Sequence, residues 1–192
     1  IVRGSFMGTL PLSGKAYAPV RRFIRLRRAP LCGSMGENKG GIGMGKAIIY
    51  LADGTEECEA LLCADLLRRA GAEVVLAAVG GRWEIVSSHG VAIRADALAE
   101  EADIAGTDLL VLPGGWPGTK HLEDCPAVQE AVLAFAAAGK PIAAICAAPS
   151  ILGHLGLLKG RRATAFPSFR DQLVGAILTE GDVVRDGPFL TA

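Results

Sequence analysis

Pro141-Ile142-Ala143-Ala144-Ile145-Cys146-Ala147-Ala148-Pro149 decides the fold, because it runs from a short apolar strand through one cysteine into small residues that open a helix. Near-continuous apolar runs of this length suit parallel strands covered on both faces. Three further runs have the same character: Lys46 to Leu51, Glu73 to Val79 and Asp108 to Leu112. Helical stretches lie between them. Glu56 to Ala70 carries Cys58, Leu61, Leu62 and Leu66 at helical spacing and stops at Gly71. Pro126 to Ala138 opens on proline and closes at Gly139, and Ala147 to Leu155 follows Cys146 directly. Strand alternating with helix in this order predicts an α/β fold with a parallel sheet and right-handed crossovers. Val86 to Ile93 reads as a small hairpin or edge excursion, and Pro188 to Ala192 as a strand with no helix after it to cover the sheet.

The chain has 192 residues, 51% of them hydrophobic, enough for one domain with a substantial core. No window approaches the length of apolar sequence that a membrane span requires, so a membrane partner is not expected. Residues 1–43 hold eight Lys or Arg against the single acid Glu37, while the remainder holds 12 basic and 19 acidic residues. An anionic body is a poor nucleic-acid binder, so no such partner is expected either. Residues 1–43 show no sustained period and end in Gly40-Gly41-Ile42-Gly43, so they read as a basic extension outside a domain spanning 44–192. Met44 as the true initiator is the leading reading; an Arg-rich targeting peptide is the rival, and a nucleic-acid-binding arm a third. Five cysteines at irregular spacing support neither a zinc site nor a disulfide framework, and point to reduced thiols in a cytoplasm-like compartment.

Open parallel sheets bind ligands beyond the carboxyl ends of their strands. Three loops fall there: Ala52-Asp53-Gly54-Thr55, Pro113-Gly114-Gly115-Trp116 and the turn at Cys146. Cys146, placed before a helix, is the candidate nucleophile, because a helix N-terminus can lower a thiol's pKa. Gly114 and Gly115, with Ala147, are candidate backbone N–H donors to an oxyanion. Glu59 is the candidate proton carrier. It lies three residues before Leu62 and seven before Leu66, which turns it toward the buried side, while Glu56 and Glu57 can point to water. His89, His121 and His154 occupy no position that a Cys–His pair requires.

Ala52-Asp53-Gly54-Thr55-Glu56-Glu57-Cys58-Glu59, Val111-Leu112-Pro113-Gly114-Gly115, Ala143-Ala144-Ile145-Cys146-Ala147-Ala148-Pro149 and Gly156-Leu157-Leu158-Lys159-Gly160 together resemble the ThiJ/PfpI superfamily, in its bacterial-type parkinsonism-associated deglycase branch. The likeness runs from Lys46 to Thr191. It implies a flavodoxin-like three-layer sandwich of the class I glutamine amidotransferase-like kind, here without the family's C-terminal helix, and a homodimer. It also implies that Cys146 matches the oxidisable nucleophile, Glu59 its protonated carboxyl partner, and Gly115 and Ala147 the backbone donors. The implied activity is glutathione-independent conversion of methylglyoxal-type 2-oxoaldehydes, or deglycation of early adducts on proteins, with no metal or organic cofactor. The alternative is an oxidative-stress sensor or redox-regulated chaperone using the same cysteine. Ala147 stands where the protease-like branch has histidine, which disfavours peptidase activity, and Phe166 stands where some relatives carry histidine.

Overall fold

The computed structural model describes residues 45–192. The basic extension, the start at Met44 and Cys32 lie outside the described residues. In chain order the elements are β1 (Lys46–Leu51), α1 (Glu57–Arg69), β2 (Glu73–Ala78), β3 (Glu84–Val86), β4 (Ala92–Arg94), β5 (Ala97–Leu98), β6 (Leu109–Leu112), α2 (Gly118–Glu123), α3 (Pro126–Ala137), β7 (Ile142–Ala144), α4 (Pro149–His154), β8 (Arg162–Ala163), β9 (Ile177–Leu178), β10 (Val184–Asp186) and β11 (Phe189–Thr191). A 3-10 turn at Ala99–Glu101 follows β5, and a 3-10 helix at Pro167–Gln172 follows β8.

Seven strands form the central sheet in the order β10-β11-β7-β6-β1-β2-β5. All its pairings are parallel except β10 with β11. The alternating sides of β1 feed two cores. Ile48 and Tyr50 join Leu110, Leu112 and Ile142 against Leu122 of α2, Val128, Val132 and Phe135 of α3, and Ile151 and Leu152 of α4. Ala47, Ile49 and Leu51 join Val111 against Ala60 and Ala64 of α1 and against Ile85 and Ile93 of the β3–β4 hairpin. A sheet covered this way on both faces is a three-layer sandwich.

Two readings of the helices need correction. The apolar stripe of α1 does not face the core: Leu61, Leu62 and Leu66 are 38%, 59% and 56% exposed, Cys58 is exposed, and the buried residues are Ala60 and Ala64. Small side chains let the helix lie close on the sheet, so the leucines one or two positions away are turned out. The helix after Cys146 begins at Pro149 rather than Ala147. Cys146 has φ +62°, a left-handed conformation that no α-helix accommodates, so Ala147 and Ala148 complete a turn before proline can open the helix. At the other end of the sheet, Leu190 of β11 is 39% exposed beside a small apolar groove it shares with Val111, Ala143, Ile145 and Val183.

Candidate active site

After β2 and β5 the chain returns past β1 to build β6, so the strand order reverses between β1 and β6. The crevice at such a reversal is where open α/β sheets bind ligands. The loops leaving β1 and β6 interlock there. The Glu56 N–H donates to the Gly114 carbonyl at 3.0 Å, and a Cβ on Gly115, whose φ is +91°, would overlap the Glu56 nitrogen. Glycine at 115 is therefore a steric requirement of the loop.

Cys146 arrives beside this crevice from β7. Its strained backbone is held from two sides: its N–H donates to the Ala192 carbonyl at 2.7 Å, and its own carbonyl accepts from the Phe166 N–H at 2.9 Å. A non-glycine residue in left-handed space persists only where its surroundings over-determine it, and such strain collects at functional sites. The thiol is half-buried, and the Glu59 carboxyl and the N–H groups of Gly115 and Ala147 lie close enough to bias its ionisation. A Cβ on Gly114 would stand 2.7 Å from the Cys146 Cβ and 2.8 Å from Glu59 Oε2.

Glu59 reaches this point from the first turn of α1. Glu56 caps that helix, accepting the Glu59 N–H at 2.8 Å, and Glu59 Oε2 accepts the Gly114 N–H at 2.7 Å. The reasoning that turned Glu59 inward through Leu62 and Leu66 fails, since both are exposed. Glu59 turns inward because it leads the side of α1 that continues with Ala60, half-buried Cys63 and Ala64. Nor do its neighbours simply face water. Glu56 is the cap, and Glu57 pairs with His89 at 3.0 Å. The carboxyl oxygens of Glu56 and Glu57 and a ring nitrogen of His89 lie within 4.8 Å of one another, the one such grouping among the described residues with potential metal-ligating atoms.

The electrostatics also differ from expectation. The Cys146 thiol is not depressed: burial pushes it up, the Glu59 charge pushes it further, and the Gly115 and Ala147 N–H groups pull the other way. α4 begins three residues later and is only six residues long, so its dipole acts weakly at the sulfur. Burial pushes Glu59 up too, against the Gly114 N–H and the thiol. Both groups hold protons more tightly than free side chains, and the first negative charge on the pair opposes the second.

Cys146, Glu59, Gly114, Gly115 and Ala147 are thus brought together. Gly114 plays a different part from the one expected. It has a single N–H, already given to Glu59, so it anchors the carboxyl and is not a free donor to an oxyanion. The histidines are engaged elsewhere: His121 Nδ1 meets the Asp53 carbonyl at 2.8 Å, and His154 pairs with Glu123. Sequence reading missed the carbonyl of Ala192, which no side-chain pattern announces. It also missed exposed Trp116, whose ring centre lies 5.8 Å from that of Phe169.

A parallel sheet with a thiol–carboxyl pair on the loops at its carboxyl edge defines a flavodoxin-type sandwich with a cysteine-centred site. The model described as DJ-1/PfpI family matches residues 45–192, and the chain belongs to that family. It is 39% identical over 151 residues to Protein DJ-1 homolog B of Arabidopsis thaliana, covering 78% of this chain and 34% of that one. Homolog A of the same plant is 38% identical over 76% of this chain and 38% of its own length, so the chain spans little more than a third of either plant relative. A deglycase of Pyrococcus abyssi is 34% identical over 77% of this chain and 89% of its own. Among solved structures, oxidized Toxoplasma gondii DJ-1 superposes with a TM-score of 0.74 at 38% identity, covering 77% of this chain and 81% of that one. No helix among the described residues is long and apolar enough to cross a membrane.

Proposed function

We propose that the protein is a cysteine-dependent glyoxalase or deglycase acting on methylglyoxal-type 2-oxoaldehydes or on early glycation adducts, without glutathione. The observation that carries this reading is the Cys146–Glu59 pair, a nucleophile and a proton carrier brought together at Gly114 beside backbone donors. The deglycase from Pyrococcus abyssi supports it. As Cys146 sulfur adds to the aldehyde carbon, the thiol proton passes to the Glu59 carboxylate and the carbonyl oxygen takes up negative charge between the Gly115 and Ala147 N–H groups. Glu59 returns that proton to the oxyanion, giving the hemithioacetal; as a carboxylate again it takes the proton of the former aldehyde carbon and delivers it to the neighbouring carbon, while the hydroxyl proton moves to the neighbouring oxygen, which converts the hemithioacetal to a thioester. Water releases lactate and restores the thiol.

Purified protein converts methylglyoxal to lactate without glutathione in this reading. Cys146→Ala abolishes turnover, Glu59→Gln lowers it by a factor on the order of 100 or more, and Cys125→Ser leaves it unchanged. Absence of turnover by the wild type sinks the proposal. A second reading has its own support in the relative solved as oxidized DJ-1 from Toxoplasma gondii. Cys146 then serves as an oxidant sensor, with protonated Glu59 donating to a sulfinate. Rapid formation of that sulfinate by peroxide, in protein lacking turnover, selects it.

We also infer a homodimer. The leucine stripe of α1, with Cys58 and Glu57 at its edge, is an apolar surface that no element among the described residues covers. Leu62→Glu combined with Leu66→Glu converts the dimer to monomer in sedimentation velocity, and a wild type that sediments as a monomer overturns the inference.

A further inference from the structure

Aromatic rings are few in this chain, and two of them stand where the core cannot use them. Tyr50, Phe135 and Phe189 are buried in the sandwich. Trp116 and Phe166 are 59% and 53% exposed, and each belongs to a segment that borders Cys146. Trp116 directly follows Gly115, whose N–H is one of the groups beside the sulfur. Phe166 donates its N–H to the Cys146 carbonyl at 2.9 Å. One turn of 3-10 helix then leads to Phe169, whose N–H donates to the Phe166 carbonyl at 2.8 Å.

The two segments meet through their rings. The Trp116 and Phe169 centres are 5.8 Å apart with planes inclined at 45°, a geometry in which two π systems attract. Phe169 is the anchor of the pair, since it is half-buried and packs against the core layer shared by α2, α3 and α4. Trp116 therefore rests on a fixed neighbour while most of its own surface stays open to water. The other tryptophan, Trp83, is exposed as well, but it carries the Arg94 guanidinium over its ring at 5.6 Å. Apolar surface left open at the crevice where such a sheet takes its ligand is surface available to that ligand.

We propose that Trp116 and Phe169 form an aromatic subsite beside Cys146, which takes a planar ring on the carbon next to the carbonyl under attack. The proposal rests on the thiol chemistry given above and narrows its substrate class to aryl-substituted 2-oxoaldehydes. Sulfur bonds to the aldehyde carbon with its oxygen against the Gly115 N–H, and the substituent on the neighbouring carbon lies toward Trp116, the next residue in the chain. A methyl group there covers little of the indole, whereas a phenyl ring stacks on it. Such stacking supports a preference of about tenfold. Phe169 already holds the indole in place, so little side-chain freedom is lost on binding. Phenylglyoxal and water give mandelate by the same proton transfers that give lactate from methylglyoxal.

The test uses the full chain and two readouts. In the first, kcat/KM is measured for phenylglyoxal and for methylglyoxal. Wild type favours phenylglyoxal, and Trp116→Ala, verified as folded by its melting transition, lowers the phenylglyoxal-to-methylglyoxal ratio about tenfold. Trp116→Phe restores most of the ratio, and Trp83→Ala keeps it at the wild-type value. The second readout needs no turnover. Cys146 is alkylated with phenacyl bromide or with bromoacetone, two ketones that share a leaving group, and labelled peptides are quantified by mass spectrometry. Exposed Cys58 in the same molecule reports the intrinsic reactivity of each reagent. The preference for phenacyl bromide at Cys146 exceeds that at Cys58 about tenfold, and Trp116→Ala brings the two level. A wild type that turns over neither aldehyde but keeps this alkylation preference sinks the glyoxalase reading and upholds the subsite. Equal preference at Cys146 and Cys58, or a preference at Cys146 that Trp116→Ala does not change, overturns the subsite.

Discussion

Cys146 and Cys125 both stand just ahead of a proline-initiated helix, and a sequence reader has little to separate them. The helix after Cys125 is the longer, 12 residues against six. If dipole strength alone made a reactive site, Cys125 would be the centre. What distinguishes Cys146 is its backbone: φ +62° against −83°, locked by the Ala192 carbonyl just past β11 and by the Phe166 N–H. Strain sets its sulfur among the Glu59 carboxyl of α1, the Gly115 N–H of the β6 loop and the N–H of its own neighbour Ala147, whereas Cys125 has a relaxed backbone at a cavity wall. A helix start sets a field; the chain segments that converge on a thiol set its chemistry.

That contrast is broken most severely at Gly115. Gly115→Ala places a methyl group against the Glu56 nitrogen at φ +91°. It is expected to cost about 1–3 kcal/mol of stability, read by denaturant unfolding, and to remove Cys146 activity while Cys125 alkylation proceeds unchanged. Activity retained in that variant would show that the strained loops are not what sets Cys146 apart.

The proton held by the pair gives a sharper measurement. Folding raises Glu59 above its ordinary 4.5, so over the window from 4.5 up to its folded value the native state binds more protons than the unfolded one. Its contribution is present in full below that window and is lost as pH rises through it. Unfolding free energies measured across a pH series should decline there in wild type and stay flatter in Glu59→Gln. The same variant removes the charge that pushes Cys146 up, so alkylation of Cys146 should begin at lower pH. A steeper decline in Glu59→Gln contradicts the assignment. The smallest effect is at Tyr50 of β1. Tyr50→Phe removes an unpartnered buried hydroxyl and is expected to stabilise the reduced protein by about 1 kcal/mol, seen as a higher melting temperature.

The sheet was legible because its strands are covered on both faces and read as continuous apolar runs, with boundaries within about a residue of those observed. α1 was legible as a helix but not in its orientation. Apolar periodicity reports that a face is hydrophobic, not which surface covers it, and here alanines lie on the sheet while leucines face outward. β5, α2 and the short strands β8 to β10 left little trace, being two to six residues long. The members of the site were legible from residue type and position. Their division of labour was not, because the Gly114 N–H could be assigned to Glu59 only once α1 and the β6 loop were seen together.

The Ala192 carbonyl that pins Cys146 has a consequence for biosynthesis. β11 pairs in parallel with β7, with Leu190 opposite Ala143 and Thr191 opposite Ala144, so the lock on the turn is contributed by residues translated more than forty positions after the cysteine. A nascent chain that has emerged only as far as α4 carries an ordinary cysteine. The strained turn is completed late, when the distal strand zips into the sheet.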